Sequence, residues 1–265
     1  MKIGVLANRG SNQCLAKWGA TAEYLTAHVP GFRFEIVPLG YADVQSAVAE
    51  QRLDFILVNP AMYVALEAEY KVGRIATMKN RQGRSVAATY GTVILCRADS
   101  QAIRSLDDLR GKSFMAPEEN SFGGWLMALR ELRQKGIDPY HDFKSLQFSG
   151  TQDGVVLAIL HGEVDAGAIR TDTLERMAGE GKIQLGDFLV ISAYDGARDA
   201  DFPYLISTRT YPEWPLAKLQ HTPLTLVEEV AEHLRQMPPD ATAAKKADIA
   251  GWTYPGDYNE VRKCL

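Results

Sequence analysis

The sequence lacks long hydrophobic runs and clusters of basic residues. No segment approaches the run of about 20 apolar residues that a membrane-spanning helix needs, so we expect no transmembrane span within it. Lys and Arg (29 residues) are scattered and are outnumbered by Asp and Glu (33), and the formal net charge is −4. Proteins that bind nucleic acid normally carry a basic patch. We therefore expect no nucleic-acid partner.

Cysteine is scarce and forms no paired motif. The three cysteines, Cys14, Cys96 and Cys264, show no CxxC spacing, which excludes a typical zinc site and a disulfide framework. Cys96 lies in an apolar run and is expected to be a small buried hydrophobe. Cys14 follows a polar loop, residues 8–13. It is either a reactive thiol or a residue of the first turn of a helix.

Catalytic and cofactor motifs are also absent. The chain contains no GxGxxG, GxSxG or HExxH pattern. The segment Gly111-Lys112-Ser113 is similar to the end of a phosphate-binding P-loop, but it lacks the upstream glycine and precedes a strand. The five histidines show no metal-ligand spacing. We therefore predict no catalytic residue, no metal and no cofactor, and we expect a binding protein instead of an enzyme.

What the sequence does contain is an internal repeat. Residues 44–60 and 155–171 align without a gap, and each stretch predicts an amphipathic helix, a short turn, an Asp and a buried strand. The alignment pairs Asp54 with Asp165, and Asn59 with Arg170. In open α/β sheets, ligands bind beyond the carboxyl ends of the strands. The two residues at the strand ends are therefore candidates to face each other across a cleft.

Alternation of strands and helices predicts an α/β fold with two lobes. The length of 265 residues, with 46% hydrophobic and 23% charged residues, suits two lobes of ordinary size. Each lobe is predicted to be a mainly parallel sheet flanked by helices. We place residues 1–92 and 200–265 in the first lobe and residues 93–199 in the second. The two connections between the lobes are predicted near residues 90–97 and 189–203.

The segment from Pro117 to Trp125 lies between a predicted strand and a predicted helix. Ser121, Phe122, Gly123 and Gly124 occupy the helix start, where open backbone amides form a ready anion site. The alternative is an ordinary N-cap with a packing glycine.

Arg170 is the second candidate for anion binding. A guanidinium at the end of a buried strand needs a partner, and an oxyanion ligand is one possibility. The alternative is an internal partner, Asp172 or Glu175. Together with the helix start, this arginine predicts an anion site in the second lobe.

Two tyrosines lie where the first lobe is expected to meet the cleft. Tyr41 follows Gly40 and Tyr90 precedes Gly91, so each is a candidate wall of a pocket, although a half-buried structural tyrosine would look the same. Thr151, immediately before a predicted helix, completes the set. The candidate ligand-binding residues are Tyr41, Asn59, Tyr90, Ser121, Phe122, Gly123, Gly124, Thr151 and Arg170.

Over nearly its whole length the chain resembles the phosphate/phosphonate-type periplasmic binding proteins, and most closely the sensor domain of tetrathionate-sensor-type histidine kinases. General features of the resemblance are Ile3-Gly4-Val5-Leu6, Tyr41, Tyr90, the run from Ile103 to Lys112, and the Ser/Gly helix start. The more specific segments are Ser121-Phe122-Gly123-Gly124-Trp125, Asp165-Ala166-Gly167, the run from Arg170 to Glu175, Tyr211-Pro212-Glu213-Trp214-Pro215, and Gly251-Trp252-Thr253 with Asp257-Tyr258.

The resemblance implies a two-lobed, type II periplasmic-binding-protein fold that closes on a small oxyanion by hinge motion. Phosphonate binders carry a denser Ser/Thr cluster at the helix start, and here Phe122 and Gly123 interrupt it. A sulfur oxyanion such as tetrathionate fits an arginine with helix amides and aromatic walls, and the identity of the ligand stays open.

Two functional interpretations follow from the resemblance. The chain is either a periplasmic sensor domain excised from a histidine kinase or a free-standing solute-binding protein of an ABC importer for phosphonate, phosphate or sulfur oxyanions. The implied partners are the transmembrane and kinase regions of the same polypeptide, or an ABC permease, with a homodimer possible in the full-length sensor. Met1-Lys2 leads directly into a predicted strand, so we expect no signal peptide within this sequence, and an expressed mature periplasmic domain would look the same.

Overall fold

The computed structural model describes residues 1–82, 85–196 and 202–265. The chain divides into two compact units. The first comprises Met1–Thr89 and Pro212–Arg262, and the second comprises Tyr90–Tyr211 and Lys263–Leu265. The sequence predicted lobes of residues 1–92 with 200–265 and of residues 93–199. These bounds remain a prediction, separate from the two units described here. Residues 197–201 of the predicted second connection lie outside the described residues.

The amino-terminal part of the first unit alternates strands and helices as the sequence predicts. Its elements are β1 (Lys2–Leu6), α1 (Ser11–His28), β2 (Glu35–Leu39), α2 (Val44–Ala49), β3 (Phe55–Leu57), α3 (Pro60–Tyr70), β4 (Gly73–Gln82) and β5 (Ser85–Ala87). The short strand β6 (Thr89–Tyr90) contains the residues at which the chain passes into the second unit.

The second unit repeats this alternation. Its elements are β7 (Thr92–Arg97), β8 (Ser113–Ala116), α4 (Met127–Gln134), α5 (Pro139–Asp142), β9 (Ser145–Phe148), α6 (Gln152–Leu160), β10 (Ala166–Arg170), α7 (Thr173–Gly179) and β11 (Phe188–Ile191). The chain then returns to the first unit through β12 (Tyr211–Pro212), β13 (Pro215–Lys218), α8 (Leu224–Gln236), α9 (Thr242–Ala247) and β14 (Ile249–Thr253).

The two larger sheets combine parallel and antiparallel pairs, and β12 and β6 form a separate two-stranded sheet. The first has the order β14-β4-β13-β3-β1-β2, and β1 is parallel to β2 and β3, whereas β13 and β14 run antiparallel to their neighbours. The second has the order β11-β7-β10-β8-β9, in which only the β10-β8-β9 part is parallel. The α/β class is confirmed, but the sheets are mixed instead of mainly parallel. Strand β13 lies between β3 and β4 and is antiparallel to both, and β7 lies between β11 and β10 and is antiparallel to both.

Strand β7 shows how the second unit buries both faces of its sheet. Val93 and Leu95 belong to the core beneath α6 and α7, while Ile94 and Cys96 belong to the core beneath α4. A continuous apolar run is what a strand covered on both faces requires. Cys96 is fully buried, as the sequence predicted.

The two aligned stretches form the same local structure. The amide of Lys2, at the start of β1, donates to Asp54 Oδ2 at 2.6 Å. The amide of Ser113, at the start of β8, donates to Asp165 Oδ2 at 2.8 Å. Each aspartate therefore caps the first residue of the parallel strand beside its own. The repeat in the sequence is a repeat of this capped helix–strand unit, with α2 and β3 in one unit and α6 and β10 in the other.

Within the described residues, no helix is both long enough and apolar enough to cross a membrane.

Candidate functional site

The helix start in the second unit is held by its own N-cap. Ser121 Oγ accepts a hydrogen bond from the Gly124 amide at 3.3 Å, and a π-helical turn, Phe122–Leu126, then leads into α4. Single π-helical turns often mark functional positions because they re-aim a few side chains and amides. The N-cap interpretation is therefore correct for Ser121. It leaves the first-turn amides of Phe122 and Gly123 as the groups that a ligand at this helix start would meet.

Both glycines of this turn lie against other parts of the unit. A Cβ at Gly123 would lie 2.7 Å from Tyr90 Cε2, and a Cβ at Gly124 would lie 2.2 Å from Pro117 Cγ. These separations are far below van der Waals contact. The carbonyl of Gly123 also accepts a 2.6 Å hydrogen bond from Thr92 Oγ1. Glycine is thus required here for close approach, and the turn is fixed by packing against Tyr90 and Pro117.

Arg170, the last residue of β10, lies beside this helix start. Its Cζ atom is 4.1 Å from the centroid of the Tyr90 ring, and its Nε donates to Asp172 Oδ2 at 3.3 Å. Its side chain keeps 17% of its area exposed. A guanidinium stacked on an aromatic face is held in one plane. The second unit therefore presents a part-buried, oriented cation next to helix amides.

Asp172 is the internal partner that the sequence allowed for Arg170. It lies two residues further on, at the N-cap position of α7, with a φ of 76°, a conformation that is uncommon for a residue with a Cβ. The carboxylate offsets part of the positive charge of the guanidinium. An anion bound here would share Arg170 with Asp172, which lowers the affinity that the arginine alone could give.

Gln152 links the two parts of the site, and the sequence did not predict it. Its Oε1 accepts the Arg170 amide at 2.9 Å, and its Nε2 donates to Ser121 Oγ at 3.5 Å. It is the first residue of α6, directly after the predicted candidate Thr151. Its position next to Thr151 in the sequence was the one signal that could have pointed to Gln152. The position of a glutamine side chain between a helix start and a strand end depends on tertiary packing.

Thr151 and Asn59 act as helix caps. Thr151 Oγ1 accepts the amide of Gly154 at 3.1 Å at the start of α6. Asn59 Oδ1 accepts the amide of Met62 at 3.0 Å at the start of α3, and Pro60 occupies the first helical position. Asn59 aligns with Arg170 in the sequence repeat, but its side-chain oxygen caps α3.

The predicted site residues are divided between the two units. Tyr90, Ser121, Phe122, Gly123, Gly124, Thr151 and Arg170 all lie in the second unit. Tyr41, in the turn before α2, and Asn59 lie in the first. The ring of Phe122 is buried against Tyr90, with centroids 6.1 Å apart. Phe122 can thus offer a ligand its backbone amide but not its ring.

The cysteine alternative is disfavoured by the environment of Cys14. Burial raises the pKa of this thiol to about 11, so it is protonated at neutral pH and is a poor nucleophile. It lies in the first turn of α1 and is 6% exposed. Among the described residues, no group of His, Cys, Asp and Glu side chains is arranged to hold a metal ion.

Comparison with known families identifies the chain. The family model for the phosphonate periplasmic substrate-binding proteins of ABC transporters matches residues 3–257. The chain belongs to this phosphonate-binding family. The predicted resemblance is thereby confirmed, and the chain is a solute-binding domain of a family of binding proteins.

One curated relative is a sensor histidine kinase. The tetrathionate sensor histidine kinase TtrS of Salmonella typhimurium strain LT2 is 33% identical to the chain over 265 residues. The match covers 99% of the chain and 43% of the kinase, so the chain spans less than half the length of this relative. The similarity confirms the predicted likeness to tetrathionate-sensor-type kinases.

Solved structures show the same two-lobed fold. PhnD1 from Prochlorococcus marinus, in complex with methylphosphonate, has a TM-score of 0.77 and 15% identity, covering 100% of this chain and 96% of that one. A protein from Xanthomonas citri, XAC2383, bound to ATP, has a TM-score of 0.76 and 18% identity, covering 100% and 94%. At this level of identity the likeness describes the fold.

Proposed function

We propose that the chain is the periplasmic ligand-binding domain of a sensor histidine kinase, and that it binds a small oxyanion in the second unit. The observation that carries the proposal is the position of Arg170, stacked on Tyr90 and joined through Gln152 to the helix start at Ser121. The similarity to a tetrathionate sensor supports a sulfur oxyanion as the ligand.

The oxyanion is assigned to the guanidinium of Arg170 and the amides of Phe122 and Gly123. Hydrogen bonds to charged groups contribute roughly 1.5–3 kcal/mol each. Micromolar affinity requires about 8 kcal/mol, so a few such bonds are enough, even with Asp172 sharing the arginine. Tyr90 supplies the aromatic wall behind the cation.

In the proposed closed, ligand-bound state, Tyr41 and Asn59 of the first unit contact the ligand. In this proposal the two units close over the ligand by hinge motion, and closure is the signal. A nearly complete switch between two states needs about 5.5 kcal/mol of differential affinity. Small-angle X-ray scattering with and without a bound oxyanion tests this step, because closure reduces the radius of gyration.

The ligand class is tested by thermal-shift screening against tetrathionate, thiosulfate, sulfate, phosphate, methylphosphonate and succinate. A ligand at 100 times its Kd adds about 2.7 kcal/mol of stability. We expect stabilisation by at least one oxyanion and its loss in Arg170→Ala. Mass spectrometry of the tetrathionate sample checks that no cysteine has been oxidised. If a confirmed ligand keeps its affinity in Arg170→Ala, the site assignment is wrong.

The second candidate function is a free-standing binding protein that delivers its ligand to an ABC permease. The family model, which is that of a transporter component, favours it. The two candidates differ in the natural open reading frame. A sensor continues into a membrane span and a kinase, whereas a transporter component does not. A frame that stops at the end of this sequence would overturn the sensor proposal.

A further inference from the structure

A line of buried aromatic rings leads away from the proposed anion site inside the second unit. The Tyr90 ring, under the Arg170 guanidinium, meets the Phe122 ring edge to face, with centroids 6.1 Å apart at 78°. Phe122 meets Tyr211 in the same manner, at 5.1 Å and 72°. Each of the three rings is 1% exposed. We call Tyr90, Phe122 and Tyr211 the aromatic column.

The far end of the column is fixed by polar contacts to Arg130 and Cys264. The Tyr211 hydroxyl accepts a 2.9 Å hydrogen bond from Arg130 Nη1, and Cys264 Sγ lies 3.3 Å from the same oxygen. Arg130 and Cys264 are both more than nine-tenths buried. Burial raises the pKa of the Tyr211 phenol, so the hydroxyl stays neutral and serves as a steady partner for both groups.

Cys264 belongs to a segment that changes units. Arg262 is paired with Glu67 of the first unit, whereas Lys263–Leu265 belong to the second unit. The Cys264–Tyr211 contact is therefore one of the contacts that hold the last residues of the chain on the second unit. Loss of order at Tyr211 would release this attachment.

We propose that the aromatic column couples the anion site at Arg170 to the carboxyl-terminal residues around Cys264. Close-packed rings in edge-to-face contact cannot move independently, because interiors at this density leave no room for one ring to shift alone. Phe122 and Tyr211 are thus positioning residues that act on Arg170 through Tyr90. The proposal rests on the proposed function in one respect: Arg170 is the residue that the ligand engages.

The coupling is measured without any ligand, by the rate at which iodoacetamide alkylates each cysteine under native conditions, resolved by peptide mass spectrometry. Cys96, in the core of the same unit, reports global unfolding and serves as the internal reference. We expect Arg170→Ala to raise the Cys264 rate relative to Cys96 by about threefold or more. Arg176→Ala removes a cation of the same unit that pairs with Asp153 and Glu180, and it is expected to leave the ratio unchanged.

Double variants decide whether the column carries the effect. Tyr211→Phe keeps the ring and removes the hydroxyl, and Phe122→Leu keeps apolar volume and removes the aromatic edges. In either background the effect of Arg170→Ala on the ratio is expected to vanish. The proposal is overturned if the effect persists undiminished in both backgrounds, or if Arg176→Ala produces an equal one. Because no ligand is used, failure of the anion assignment leaves this result intact, and failure of the coupling leaves the anion assignment standing.

Discussion

The guanidinium carbon of Arg170 lies 4.1 Å from the centroid of the Tyr90 ring, the shortest cation–aromatic contact among the described residues. This contact restricts the position of the guanidinium. An oxyanion can then meet the guanidinium at little cost in side-chain entropy. Tyr90 thus contributes orientation to the site, in addition to apolar contact.

Replacing Arg170 is expected to remove most of the oxyanion affinity. Arg170→Ala should weaken binding at least about tenfold, the equivalent of one hydrogen bond to a charged group. Arg170→Lys should restore little, because an ammonium group lacks the planar fork that stacks on Tyr90. Isothermal titration calorimetry measures both. The matched control is Arg176→Ala, in the same unit, and equal losses in the two alanine variants would contradict a specific role for Arg170.

A methyl group at Gly123 should disrupt the site through contact with Tyr90. Gly123→Ala places a Cβ 2.7 Å from Tyr90 Cε2, so the ring or the turn must shift. We expect a loss of about 1–3 kcal/mol in the free energy of unfolding, as for overpacking of a core. Gly19→Ala is the control, since Gly19 lies inside α1 with nothing within 4 Å of the new Cβ. It should instead stabilise by about 0.5–1 kcal/mol. Urea denaturation separates the two outcomes.

The buried ion pair of Glu131 with Arg209 should contribute strongly to the stability of the second unit. Glu131 Oε1 is 2.7 Å from Arg209 Nε, and its side chain is 3% exposed. Glu131→Gln should lower the free energy of unfolding by about 3 kcal/mol. This is the low end of the range for a broken buried ion pair, because Arg209 is 22% exposed and can be hydrated. Glu180→Gln, at an exposed pair with Arg176, should cost less than about 1 kcal/mol. Equal costs in urea denaturation would refute the expectation.

Glu175 should make stability depend on pH. Burial raises the pKa of its carboxyl group, and its Oε2 has no hydrogen-bond partner among the described residues. The stabilising contribution of the protonated form is fully present below the unfolded-state pKa of roughly 4.3 and is lost as pH rises through the folded-state pKa. Glu175→Gln should therefore gain stability relative to the natural chain between pH 4 and pH 7. A difference in unfolding free energy that does not vary with pH would contradict this.

The local structure of the site could be read from the sequence to a large extent. The N-cap at Ser121, the strand end at Arg170 and the helix–Asp–strand repeat follow from periodicity and capping residues, which act within one or two turns of chain. Asp54 and Asp165 each accept a hydrogen bond from the first residue of the neighbouring parallel strand. This shared role explains why the repeat is detectable in the sequence. Strand β13, in contrast, lies in a Pro-rich stretch without periodicity, and its central place in the first sheet comes from antiparallel pairing with β3 and β4.

The sequence by itself determined the fold class, the family and the absence of recognisable catalytic motifs, because hydrophobic period, capping residues and short motifs are local properties of the chain. Tertiary structure alone decided which groups share the site. Gln152 reaches both Ser121 and Arg170, Tyr90 lies under the guanidinium, and Tyr211 joins Phe122 to Cys264. These residues are far apart along the chain, and they meet because burying their rings and satisfying their polar atoms requires one packing of the core.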